Sequence, residues 1–247
     1  MVTNIIKKGI ILAGGSGSRL YPLTKIISKQ LLPIYNKPMV YYPLETLVKS
    51  GINEILIITT EQDAVNFQNL LGNGDQWNIN LSYMIQKKPE GIAQAFIIAE
   101  DWINSSPVTL ILGDNLFFGS DIQEILTNSI KENNGATIFC KEVNDPERFG
   151  VVSIDSNSNV LSIEEKPNNP ESNFAITGMY IYDNMVSEYA KTLKKSNRGE
   201  LEITDLNKIY LQKKNLRAKF LSNKHSWLDS GTFDSLLEAS NFVKSMK

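Results

Sequence analysis

The stretch LAGGSGSRLYPLTKIISKQLLP, from Leu12 to Pro33, sets Gly14, Gly15, Gly17, Ser16, Ser18, Arg19 and Lys29 directly after an apolar run. Backbone N–H groups bared by glycines can surround phosphate oxygens, while an arginine forks onto two of them and a lysine adds a point charge. Two common fingerprints fail here. A dinucleotide loop needs a third glycine where this chain has Leu20, and an ATPase-type loop needs a Gly-Lys-Ser or Gly-Lys-Thr that does not occur. Taken alone, the segment is either a phosphate cradle or a glycine turn carrying solvated cations.

Two aspartates are candidate ligands for a hard divalent metal. Asp114 follows VTLIL in LGDN, at the carboxyl end of an expected strand, where sites in α/β sheets collect; Asp-Asn is also good turn chemistry. Asp229, in WLDSGT, is the second candidate and reads equally as an aspartate ahead of the last helix. The single cysteine, Cys140, excludes an internal disulfide framework and a thiolate cluster, and is expected to be a buried strand residue. His225, the only histidine, is expected at the surface.

Short apolar runs must position these groups. GIILA (Gly9 to Ala13), EILIIT (Glu54 to Thr59), LSYMI (Leu81 to Ile85) and VTLIL (Val108 to Leu112) read as strands covered on both faces, as in a parallel sheet. PMVYYPLETLVKSG, AVNFQNLLG and IAQAFIIAEDWI read as the helices between them, with Pro43 early in the first or kinking it. Alternating strand and helix predicts a doubly wound α/β fold with a mixed, mainly parallel sheet. After about Gly135 the pattern turns β-rich: ATIFCKEV, GVVSID, VLSIEE and FAITGMYIYD are strands, followed by a helix from about Thr204, the strand LRAKFL and a closing helix packed through Phe233, Leu236, Leu237 and Val243. The expectation is one α/β domain over residues 1–247, with a β-rich elaboration in its second half.

Bulk properties narrow the partners. The chain has 247 residues, 42% hydrophobic and 21% charged, with a net charge of -2, so nothing draws it generally to nucleic acid or an anionic membrane. No run approaches the ~20 apolar residues of a membrane span, and MVTNIIKKGIILAGG does not resemble a signal peptide. A cytoplasmic protein is expected.

Several blocks together carry more than the loop does. LAGGSGSRLYPLT, SKQLLPIYNKPMVYYPLETL, LGDNLFFG, DPERFGVV, EEKPNNPESNFAITGMYIYD, RGELEITDLNKIYL and WLDSGTFDSLLEA stand in order along almost the whole chain. They closely resemble the signature of the sugar-1-phosphate nucleotidyltransferases. KQLLP, where uridylyl members usually read KEMLP, is similar to the thymidylyl branch. The resemblance implies a Rossmann-like nucleotidyltransferase with a β-rich sugar-binding elaboration, residues 1–135 mainly binding the nucleotide and 136–247 mainly the sugar and carrying the closing helix. Its reaction would be attack of glucose 1-phosphate on the α-phosphorus of dTTP, with Mg²⁺ as cofactor and pyrophosphate released. The nucleophile is already an anion, so no histidine or serine need be activated.

Residue by residue, the resemblance implies that Arg19 and Lys29 serve the triphosphate and that Lys166, otherwise a solvated lysine at a strand end, serves the sugar phosphate. Leu12, Gly14, Gly15, Ser16, Gly17 and Ser18 would line the nucleotide, with Gln86 and Gly91 reading the thymine edge. Asn115, Gly150, Glu165 and Thr177 would grip sugar hydroxyls, and Asp114 and Asp229 would hold the metal. Tyr35, Tyr41 and Tyr42 read as packing. Ser18 and Ser230 stand where the family often has threonine. The resemblance also implies a homo-oligomer, and a short form, because fuller members carry a further helical segment after LLEA that helps build an effector site. Rival readings keep the chemistry with UTP or another hexose phosphate, or abandon it for a non-catalytic sugar-nucleotide sensor. The joint presence of Arg19, Lys29, Asp114, Lys166 and Asp229 opposes the sensor.

Overall fold

The computed structural model describes residues 7–246. The chain divides into two compact units, one formed by Met1–Pro89, Ile111–Thr127 and Ser226–Lys247, the other by Glu90–Leu110 and Asn128–His225. The fold is of the mixed α/β class expected.

In the first unit, the strands Lys8–Ala13, Glu54–Thr59 and Asn80–Ile85 run parallel and level, so that Ala13, Thr59 and Ile85 are partners at their carboxyl ends. Their Ile- and Leu-rich runs are buried almost throughout in the first two strands, as strands covered on both faces require. The helix Tyr41–Lys49 carries Pro43 in its first turn, where a missing N–H breaks no helical bond, and chain reversal follows at Gly51 with φ 78°. Two short pairings complete the unit: Pro33–Ile34 with Lys37–Pro38, and Asn115–Phe118 with Ser226–Asp229, both antiparallel. The second of these joins segments more than a hundred residues apart and brings the chain end back to the first unit.

The closing helix Phe233–Ser245 starts from Thr232, whose hydroxyl accepts the Ser235 N–H in a reciprocal capping arrangement. Its packing stripe differs from the expected one. Phe233 and Leu237 are 47% and 62% exposed, while Ala239 and Val243 enter the core with Leu236 partly buried beside them. The buried positions follow i, i+3, i+7 from Leu236, and the small Ala239 lets the helix approach Ile34, Met39, Tyr42 and Leu116. Tyr42 packs as expected and its hydroxyl donates to Ile34 O at 2.9 Å, whereas Tyr35 is largely exposed.

In the second unit, Val160–Glu165, Gly150–Ile154, Phe174–Tyr182 and Ala136–Glu142 form an antiparallel series, and Leu216–Leu221 lies parallel to Ala136–Glu142. The expected helix over IAQAFIIAEDWI is two short ones, Gln94–Ile98 and Glu100–Ile103, interrupted at Ala99. Cys140 is buried as expected, and burial pushes its thiol pKa well up. His225 is buried too, contrary to expectation, because the Ser222 hydroxyl meets its Nδ1 at 3.1 Å and gives the ring a polar partner inside. No helix among the described residues is long and apolar enough to cross a membrane.

Candidate functional site

Level parallel strands deliver their following residues to one edge. In the first unit Gly14, Thr60 and Gln86 each follow a strand end, and the Gln86 N–H donates to Thr59 O at 2.7 Å. Gly14 lies flat under the Gln86 side chain, so a Cβ there would stand 1.9 Å from Gln86 Oε1. Gln86 is 3% exposed, and its amide is therefore a fixed group held over the first glycine of the loop. Beyond it Gly15, Ser16, Ser18 and Arg19 are exposed, while Leu20 is buried and ties the turn back through its N–H to Gly17 O at 2.9 Å. The residue that breaks the dinucleotide fingerprint is thus the anchor of the loop. Gly17 has φ 61°, and the Thr24 hydroxyl donates to its carbonyl at 2.7 Å. A cavity of about 240 Å³ opens against Gly14, Gly15, Ser16 and Thr24.

The same unit assembles the charged groups. Gly113 donates its N–H to Leu12 O at 3.0 Å, which sets the Asp114 turn beside the strand leading to the glycine loop. Lys29 forms an ion pair with Asp114. Asn115 Nδ2 donates to the other Asp114 oxygen at 3.2 Å, and Trp227 Nε1 donates to Asn115 Oδ1 at 2.6 Å. Burial opposes ionisation of Asp114, but the Lys29 charge and the bonds from Lys29, the backbone and Asn115 outweigh it and hold the carboxyl below its ordinary range. Asp229 is the register partner of Asn115, and Ser230 N–H donates to Asp114 O at 3.1 Å, so the two aspartates stand on neighbouring chain segments. Arg19 and Asp229 both flank Gly231: a Cβ there would lie 2.9 Å from Arg19 Nη2 and 3.3 Å from Asp229 Oδ1. Ser230 Oγ is buried without a partner among the described residues.

In the second unit Glu165 pairs in register with Gly150. Its carboxylate accepts from the Thr204 hydroxyl at 2.5 Å and from Arg198 Nη2 at 3.1 Å. Gly150 leaves room for that contact, since a Cβ would be 3.1 Å from Thr204 Oγ1 and 3.4 Å from Glu165 Oε2. Lys166 follows, exposed, with φ 46° and its N–H donated to Phe149 O at 2.9 Å. A non-glycine residue in that region is a local strain of ~1–3 kcal/mol, of the kind that collects at functional positions. Thr177 is buried and its Oγ1 has no partner among the described residues. Gly91, with φ 105°, answers a packing demand: a Cβ would fall 2.3 Å from Leu201 O.

The sequence reading missed Arg198, Glu202 and Thr204. Arg198 is gripped by Glu202, and hydrogen bonding and charge from that neighbour hold its pKa up. All three lie in RGELEIT, a block whose charge density was visible but whose partner Glu165 is thirty-three positions away. Among the described residues no group of three or more His, Cys, Asp or Glu side chains is arranged to hold a metal ion by itself. Asp114 and Asp229 offer hard oxygen ligands only, a donor set that fits magnesium when phosphate oxygens and water complete the shell.

The nucleotidyl transferase family model matches residues 8–246. A glucose-1-phosphate thymidylyltransferase of Neisseria gonorrhoeae is 53% identical over 97% of this chain and 83% of its own length. The protein of the same name from Mycobacterium tuberculosis is 50% identical over the same shares. A crystal structure from Bacillus anthracis, described as a glucose-1-phosphate thymidylyltransferase in complex with sucrose, is similar with a TM-score of 0.90 at 41% identity, covering 98% of this chain and 96% of that one. A UDP-glucose pyrophosphorylase holding UDP-glucose is similar at a TM-score of 0.86 and 26% identity, covering 98% of this chain and 100% of its own.

Proposed function

Because the chain belongs to the nucleotidyl transferase family, we propose that it transfers the deoxythymidylyl group of dTTP to glucose 1-phosphate, giving dTDP-glucose and pyrophosphate. A phosphate oxygen of the sugar forms a bond to the α-phosphorus, and the bond from that phosphorus to the bridging oxygen of the pyrophosphate breaks in line. Neither step needs a side-chain nucleophile. The protein's task is to hold two anions together and to neutralise charge on the departing group.

The observation that carries this reading is the gathering of Arg19, Lys29, Asp114 and Asp229 at the glycine loop of the first unit. We assign the triphosphate to Arg19 and Lys29, the loop backbone to the nucleotide, and the fixed amide of Gln86 to the base, whose alternating donors and acceptors an amide can match. In the second unit Glu165, oriented by Thr204 and Arg198, is assigned to sugar hydroxyls, and Lys166 to the sugar phosphate. Mg²⁺ held by Asp114 and Asp229 would neutralise phosphate oxygens during transfer. Lys29, already paired with Asp114, keeps that carboxylate ionised.

The test is pyrophosphate release from dTTP, UTP, CTP, ATP and GTP against several sugar 1-phosphates, with and without Mg²⁺. Fastest turnover is expected for dTTP with glucose 1-phosphate and only with the metal. Absence of turnover in every pairing would overturn the enzymatic reading. Turnover with UTP alone would move the base assignment toward the pyrophosphorylase with which the chain shares its fold.

A further inference from the structure

Asp63 opens the helix Ala64–Leu71, a place where an aspartate ordinarily accepts N–H groups of the first helical turn. Its side chain makes no such bond. Oδ1 instead accepts the Ser28 N–H at 2.8 Å, and Oδ2 accepts the Thr60 hydroxyl at 2.8 Å. Asp63 is 7% exposed, and among the described residues no lysine or arginine pairs with it. A carboxylate this buried is costly unless hydrogen-bonded, and a bond from a backbone N–H to a charged oxygen is a strong one. Helix capping does not account for it. The loop it holds does.

Ser28 immediately precedes Lys29. On the other side of Lys29, Gln30 is 2% exposed, and its Oε1 accepts the Ser28 hydroxyl at 2.5 Å. Its Cγ is only 2.9 Å from where a Cβ on Gly113 would be, directly before Asp114. Gln30 O accepts the Val40 N–H at 2.9 Å. Thr60, directly after the strand Glu54–Thr59, also accepts the Asp63 N–H at 3.2 Å, so the clamp is fastened to the sheet. The chain around Lys29 is therefore held at both flanks, from the sheet through Asp63 and from the Asp114 turn through Gln30.

We propose that Asp63 is a positioning residue for Lys29, fixing the Ser28 peptide so that the ammonium group meets Asp114 and the triphosphate. The proposal rests on the assignment of Lys29 made above. It is tested with the full chain, Mg²⁺, dTTP and glucose 1-phosphate, comparing Asp63→Ala, Asp63→Asn, Lys29→Ala and the Asp63→Ala/Lys29→Ala double variant, with a melting curve for each. Asp63→Ala should lower kcat about 10- to 100-fold, as displaced catalytic groups do, with KM for glucose 1-phosphate within about twofold of the parent. Asp63→Asn keeps an oxygen for the Ser28 N–H and should stay within about threefold of the parent. The double variant should be no slower than Lys29→Ala, because a residue acting through Lys29 then has nothing to position.

Additive losses in the double variant would overturn the proposal, as would a folded Asp63→Asn as slow as Asp63→Ala, or parental kcat in Asp63→Ala. Parental turnover in Lys29→Ala would instead remove the triphosphate role of Lys29 itself. Should Asp63→Ala not fold, Asp63→Ser, too short to reach Ser28, takes its place in the same cycle.

Discussion

Replacing Gly14 by alanine tests the nucleotide half of the site most directly. The added methyl would fall 1.9 Å from Gln86 Oε1, 3.0 Å from its Cδ and 3.2 Å from its Cβ. The terminal amide can swing, but Gln86 is 3% exposed, and swinging removes the one group assigned to the base. Overpacking of this kind costs about 1–3 kcal/mol. If that cost falls on nucleotide recognition, kcat/KM for dTTP drops ~5- to 150-fold, the range those energies span. KM for glucose 1-phosphate should move little, since its assigned residues lie elsewhere in the chain. The assay is continuous pyrophosphate release with dTTP varied at saturating sugar phosphate, beside a melting curve. Gly14→Ala placed on Gln86→Ala should cost much less, because the contacts at 1.9 and 3.0 Å are gone and only the 3.2 Å approach to the Cβ remains. A Gly14→Ala enzyme with parental kcat/KM for dTTP would falsify the argument. So would a loss that persists undiminished in the Gln86→Ala background.

Other perturbations separate charge, metal and packing. Asp114→Asn should cut turnover by about 100-fold or more while the fold persists, read by initial rates at limiting Mg²⁺ and by circular dichroism; parental rates there would refute the metal role. Lys29→Met leaves Asp114 buried without its counter-charge and should destabilise the chain by about 3 kcal/mol at neutral pH. In the parent, Asp114 is held low, so its contribution is present above the ordinary carboxylate range and lost as pH falls through its depressed pKa. In Lys29→Met burial is opposed only by the bonds from the backbone and Asn115, so that pKa lies above its parental value, and the deficit in melting temperature should narrow as pH falls and widen as it rises; a pH-independent deficit would contradict the pairing. Gly91→Ala combines φ 105° with a contact of 2.3 Å to Leu201 O, and should cost about 2 kcal/mol or more in thermal stability. An unchanged melting temperature would mean that the Gly91 backbone can relax.

Much of the scaffold was legible because its signals are local. Glu54–Thr59 and Val108–Leu112 match their apolar runs residue for residue, and the glycine loop follows its strand as expected. Pro43 sits in the first helical turn, the one place a proline does not break the ladder. Helical periodicity found the last helix but misjudged its buried face. A period marks positions on a stripe, and which part of the stripe is covered depends on the neighbour. Here that neighbour admits Ala239 and Val243 and leaves Leu237 outside.

By itself the sequence determined the strand–helix order, the phosphate-suited loop and the charged residues available for chemistry, since propensity, periodicity and residue type are properties of short stretches. Only the tertiary structure decided which of them meet. Pairing of Asn115–Phe118 with Ser226–Asp229 returns Asp229 to Asp114 across more than a hundred residues. Glu165 finds Thr204 and Arg198 through strand and loop packing, and Asp63 turns from its own helix to Ser28. These contacts depend on buried charges finding partners in a core whose layout is set by hydrophobic packing, and no spacing in the chain encodes that distance.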